Sequence, residues 1–83
     1  MVVKVAPSLL AADFGCLREE MKRIDGNGAD WVHFDIMDGH FVPAITFGPA
    51  VVKSLRPHTK LFMDAHLMVS EPERHIESFV AAG

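Results

Sequence analysis

The chain has 83 residues, 49% of them hydrophobic and 23% charged, with a formal net charge of −3. That balance is expected of one soluble globular unit, and its acidic sign argues against a nucleic-acid partner. The apolar runs stop short of the roughly 18 to 20 residues a membrane span needs. The N-terminus lacks a signal-type core and the lone Cys16 cannot close an internal disulfide, so a cytoplasmic protein with no membrane partner is expected.

Strand-like and helix-like segments alternate along the chain. Val2, Val3 and Val5 before Pro7 predict a short β-branched strand that turns at Ala6-Pro7-Ser8. Asp13 is placed to cap a helix whose apolar residues Phe14, Leu17, Met21 and Ile24 recur at spacings of three and four, with Gly26 and Gly28 closing it. Trp31 to Ile36 reads as a second strand. It is apolar on both faces apart from His33 and Asp35, as a strand buried in a parallel sheet would be. After a loop from Met37 to about Phe47, Gly48 and Pro49 open a short helix with Val51, Val52 and Leu55 inward and Pro57 at its end. Leu61 to Leu67 reads as a third strand. Ser70 and Glu73 then have capping-box spacing, and Ile76, Phe79 and Val80 supply the apolar stripe of a third helix.

Three βα units in succession imply parallel strands joined by right-handed crossovers. The expected fold class is α/β, and the pattern fits the opening third of a TIM (β/α)8 barrel of about 250 residues. Residues 1–83 then form the N-terminal part of one barrel domain without an internal boundary. The first and third strands would leave open edges, and pairing through those edges, or a homo-oligomer, is the expected assembly.

Ligands in a parallel α/β fold bind beyond the carboxyl ends of the strands. His33, Asp35, Met37, His66 and Met68 lie at those ends, and Ser8 lies just past the first strand. Residues two apart on a strand share a face, so His33 and Asp35 point the same way, as do Asp64 and His66. Two imidazoles and a carboxylate from His33, Asp35 and His66 suit one divalent ion, with zinc, iron, cobalt or manganese all compatible. Asp64 can fix the tautomer of a ligand histidine or bond the backbone at its strand end, and both readings stay open. Met37 and Met68 read either as flexible core filler or as a soft wall beside the ion. Asp38-Gly39 reads as a turn, and His40, His58 and His75 have no ligand geometry.

The stretches Ala6-Pro7-Ser8-Leu9-Leu10-Ala11-Ala12-Asp13-Phe14, residues 28 to 43 around His33-Phe34-Asp35-Ile36-Met37-Asp38-Gly39-His40, and Asp64-Ala65-His66-Leu67-Met68-Val69 resemble the ribulose-phosphate 3-epimerase family. The resemblance runs in register from residue 3 to the last residue. It implies a TIM-barrel enzyme that interconverts two sugar phosphates, ribulose 5-phosphate and xylulose 5-phosphate, with a bound divalent metal, zinc foremost. By the same resemblance His33, Asp35 and His66 correspond to metal ligands, and Asp35 also to one of two acid/base carboxylates. Ser8, His66, Met37 and Met68 correspond to groups that meet the substrate, and His40 to Pro43 to a loop that covers it. Ala11 and Ala44 depart from the serine and asparagine that the family often carries there.

Inverting a carbon beside a ketone requires one group to remove a proton and a second to return it on the opposite face. The family's second aspartate, also its fourth metal ligand, and its phosphate-binding loops have no counterpart in these residues. The 83-residue chain is therefore expected to bind metal weakly and to be inactive alone. Two other readings are a sister epimerase acting on allulose 6-phosphate and a non-catalytic fragment that assembles through its strand edges.

Overall fold

Strict alternation of burial along Trp31–Met37 organises the fold. In the computed structural model, which describes residues 2–83, this strand, β1, sends Val32, Phe34 and Ile36 into the core and leaves His33, Asp35 and Met37 on a partly open face. It pairs in parallel with β2, Phe62–Met68, in a register running from Trp31 opposite Phe62 to Met37 opposite Met68. Helix α1 spans Leu17–Asp25, α2 Pro49–Leu55 and α3 Ile76–Ala82. Met21 of α1, Val52 and Leu55 of α2, and Phe79 of α3 close over the apolar face of β1. Pro49 opens α2, where its missing N–H costs nothing.

The expected first strand does not join the sheet. Val2, Val3 and Val5 are exposed by 85%, 74% and 57%, and an isolated parallel bridge from Ser8 to His33 ties this arm to β1. The Val5 carbonyl accepts from the Asp30 and Trp31 N–H groups at 2.9 and 3.2 Å, and the Pro7 carbonyl accepts from His33 N–H at 2.9 Å. Pro7 has no N–H with which to return a bond, so the ladder fails there. The expectation of three βα units is thus corrected to two paired strands with an extended arm beside them. The outer edge of β2 has no strand partner among the described residues, and an open groove of 410 Å³ lies beside it against Ile76, Phe79 and Val80.

Two helix starts also differ. Asp13 caps a 3₁₀ turn, Phe14–Cys16, by accepting from Gly15 N–H at 2.8 Å, and the α-helix begins only at Leu17. The Ser70 capping box does not form, because Ser70 is engaged by residues of the loop after β1. A 3₁₀ turn at Pro72–Arg74 follows Glu71, whose φ of 53° is left-handed, and α3 begins without a side-chain cap.

At the amino ends of the strands Arg56 acts as a staple. Its guanidinium donates to the Thr59 and Leu61 carbonyls, both at 2.8 Å, and to the Gly83 carbonyl at 3.3 Å. Arg56→Ala is expected to cost about 1.5–3 kcal/mol, the scale of hydrogen bonds from a charged donor. A lowered urea midpoint reads this loss, with only partial recovery in Arg56→Lys because an ammonium cannot span three carbonyls as the fork does. An Arg56→Ala midpoint equal to that of the parent would refute it.

Candidate active site

The parallel register builds the site in rows on the open face of the two strands. His33 lies opposite Asp64, Asp35 opposite His66, and Met37 opposite Met68, while Ser8 bridges to His33 from the other side. Residues far apart in sequence are thereby placed side by side by backbone pairing alone. Asp35 is the hub. Its Oδ1 lies 3.1 Å from His33 Nε2 and 3.2 Å from His66 Nδ1, and its Oδ2 accepts from the Ser8 hydroxyl.

The donor chemistry tests whether these groups suit an ion. A carboxylate only accepts, so His33 Nδ1, at 2.7 Å from Asp64 Oδ2, carries a proton and donates it. In neutral His33 the Nε2 is then a lone pair facing the Asp35 carboxylate. Two acceptors at that separation require something positive between them, either a second proton on the imidazole or a cation. Donor atoms of His33, Asp35 and His66 all lie within 4.8 Å of one another. A tetrahedral ion with bonds of about 2.0–2.1 Å separates its ligands by roughly 3.3 Å, close to the contacts already present. The set therefore fits a divalent cation, with Asp64 fixing the His33 tautomer from behind.

Electrostatics follow the same arrangement. Burial acts to lower the affinity of His33 for its second proton, but the bond and charge of Asp64, then those of Asp35, outweigh it and raise the pKa. For Asp35 burial works upward, while hydrogen bonds from Ser8 and His66 and the charge of His33 hold the carboxyl below its ordinary value. Asp64 Oδ1 is buried with no hydrogen-bond partner among the described residues. Buried polar atoms of this kind are costly and uncommon.

Met37 and Met68 are half-buried in the row beyond Asp35 and His66. Ser8 reaches Asp35 directly and also accepts from Leu10 N–H at 3.1 Å. His58 ends the 3₁₀ turn after α2 and His75 precedes α3, both away from the cluster.

Asp38, legible in the sequence only as part of a turn, and Thr46, which carries no sequence signal of its own, shape the loop that follows β1. Asp38 Oδ1 accepts from the His40 and Phe41 N–H groups at 2.9 and 2.8 Å, and its Oδ2 accepts from Ser70 N–H at 2.8 Å. The bond from Ser70 first, and that from His40 next, pull its carboxyl down to about 2. Its folded value is depressed, so the stabilisation is present above pH of about 4. It is lost as pH falls through about 2. Thr46 closes the other end: its hydroxyl accepts from Met37 N–H at 2.9 Å and donates to the Asp35 carbonyl at 2.7 Å. An aspartate before glycine signals the Asx turn, but its reach to Ser70 has no local signature.

Comparison with known proteins places the chain in one family. The sequence model of the ribulose-phosphate 3 epimerase family matches residues 4–83. Over 81 residues the chain is 56% identical to a ribulose-phosphate 3-epimerase of Synechocystis sp., covering 98% of this chain and 35% of that protein. It is 54% identical to the ribulose-phosphate 3-epimerase of Bacillus subtilis, covering 99% of this chain and 38% of that one. A cytoplasmic isoform from Oryza sativa is 52% identical over 96% of this chain and 35% of its own length. The chain thus spans little more than a third of the length of these curated relatives.

Proposed function

The chain belongs to the ribulose-phosphate 3-epimerase family, and from that premise we propose that it supplies the metal-holding strands and one acid/base of a barrel that inverts C3 of a ketose phosphate. The substrates in this reading are ribulose 5-phosphate and xylulose 5-phosphate. One observation carries it: donor atoms of His33, Asp35 and His66 converge within 4.8 Å at the carboxyl side of two adjacent parallel strands.

In this proposal His33 Nε2, the Asp35 carboxylate and His66 Nδ1 hold the ion, with zinc the first choice for two imidazoles and a carboxylate. A bound divalent ion would supply the positive charge that stabilises the enediolate oxygens once the C3 proton has left. Asp35 takes or returns that proton on one face of the sugar. Ser8 and the two histidines keep its oxygens aimed and its charged form favoured. Met37 and Met68 flank the reacting carbon with apolar surface that keeps water away. The carboxylate for the opposite face and the phosphate-binding groups come from strands of the barrel outside residues 2–83. Cytoplasmic placement belongs to the proposal too; separately, no described helix is long and apolar enough to cross a membrane. The matched relatives include a cytoplasmic isoform and a chloroplastic protein.

The test is a hybrid in which residues 2–83 replace the matching stretch of the Bacillus subtilis relative. It is expected to epimerise ribulose 5-phosphate, and to do so faster than allulose 6-phosphate measured alongside. A well-folded hybrid that turns over neither sugar would overturn the proposal, and a preference for the hexose would reassign the substrate.

A further inference from the structure

We propose that Asp38 is a positioning residue, whose carboxylate couples the loops leaving β1 and β2 and thereby keeps the donor groups of Asp35 and His66 in reach of one ion. The inference rests on the metal reading of the His33, Asp35 and His66 cluster. Asp38 immediately follows the last residue of β1, and Ser70 lies just beyond the last residue of β2. One carboxylate takes N–H groups from both: His40 and Phe41 on Oδ1, and Ser70 on Oδ2. The Ser70 hydroxyl meets His40 Nδ1 as well, so two contacts cross between the loops.

The same loop is fastened to the site at its far end. Gly39 N–H donates to the Ala44 carbonyl at 2.9 Å, and Thr46 bonds the backbone of Met37 and the Asp35 carbonyl. The loop is therefore closed on the strand that carries Asp35, while Asp38 fastens it to the strand that carries His66. Ladder hydrogen bonds and the His33–Asp64 and Asp35–His66 side-chain contacts hold β1 to β2, and β2 has no partner on its other edge among the described residues. A bond between the carboxyl ends, where the donors converge, resists fraying where it would separate Asp35 from His66.

Asp38→Asn separates a local role from this one. Asparagine keeps an oxygen for His40 and Phe41, since it forms the same Asx turn, but turns an amide N–H toward the Ser70 N–H. In the 83-residue chain, Ser70 amide exchange is expected to accelerate about tenfold or more, as for a lost charge-assisted hydrogen bond, while His40 and Phe41 change less. Cobalt(II) titration is expected to show severalfold weaker uptake and altered ligand-field bands at unchanged far-ultraviolet circular dichroism. Asp38→Ala should free all three amides. Unchanged exchange at Ser70, or a cobalt titration that overlays the parent's, overturns the positioning role. So does outright loss of the fold in Asp38→Asn, which would make Asp38 part of the scaffold. A parent chain that takes up no cobalt overturns the metal reading beneath, and the exchange pattern then decides the loop coupling by itself.

Discussion

Asp35→Asn is expected to abolish cobalt or zinc uptake by the chain and to slow epimerisation by the hybrid barrel about 10²–10⁴-fold, the range for removing a positioned acid/base. The side chain is 15% exposed and, among the described residues, is the one group that touches Ser8, His33 and His66 together. Asparagine preserves its shape, so the substitution isolates charge and proton affinity. Without the negative charge, two imidazoles and a neutral amide remain, a poor match for a divalent cation. The amide also cannot take a proton from carbon at neutral pH. Ser8→Ala is the internal comparison, because it removes one bond to Asp35 and leaves the carboxylate. Isothermal titration with zinc and a coupled rate assay measure both effects. If Asp35→Asn harms either function no more than Ser8→Ala does, Asp35 is not the centre of the site.

The site was more legible in the sequence than the strand count. His-x-Asp and Asp-x-His each place two side chains on one face by strand periodicity, so parallel pairing brings them together once the register is set. The arm before β1 misled because its valines carry the β-branched signal, whereas ladder formation depends on donors, and Pro7 lacks one. The Ser70 to Glu73 spacing misled for a related reason. A capping serine has several possible partners, and a loop 30 residues away holds the one it meets. Asp38 shows the same limit from the other side: its turn is local and readable, while its contact with Ser70 exists only after both strands have packed.

Phe34→Ala is expected to cost about 3–5 kcal/mol, the range for truncating a buried aromatic. Phe34 is 1% exposed on the core face of β1, between His33 and Asp35 in sequence but opposite to them in direction. Its ring meets Phe47 edge-on at a centroid distance of 5.8 Å, and Phe47 in turn packs on Phe14 at 5.2 Å. Phe47 follows Thr46, so the cavity would loosen the attachment of the loop after β1 as well as the core. A chain of this length is held by roughly 4–12 kcal/mol, and the loss removes a large share of that. Urea unfolding followed by circular dichroism should show a collapsed midpoint for Phe34→Ala and a milder shift for Phe34→Leu, with ion uptake falling alongside stability. Asp35→Asn, one residue onward, should instead lose the ion with a smaller fall in midpoint, that of weakened bonds to Ser8, His33 and His66. Near-equal midpoints for Phe34→Ala and the parent would refute the assignment of Phe34 to the core. Loss of fold in both variants would mean that the two faces of β1 do not separate packing from chemistry.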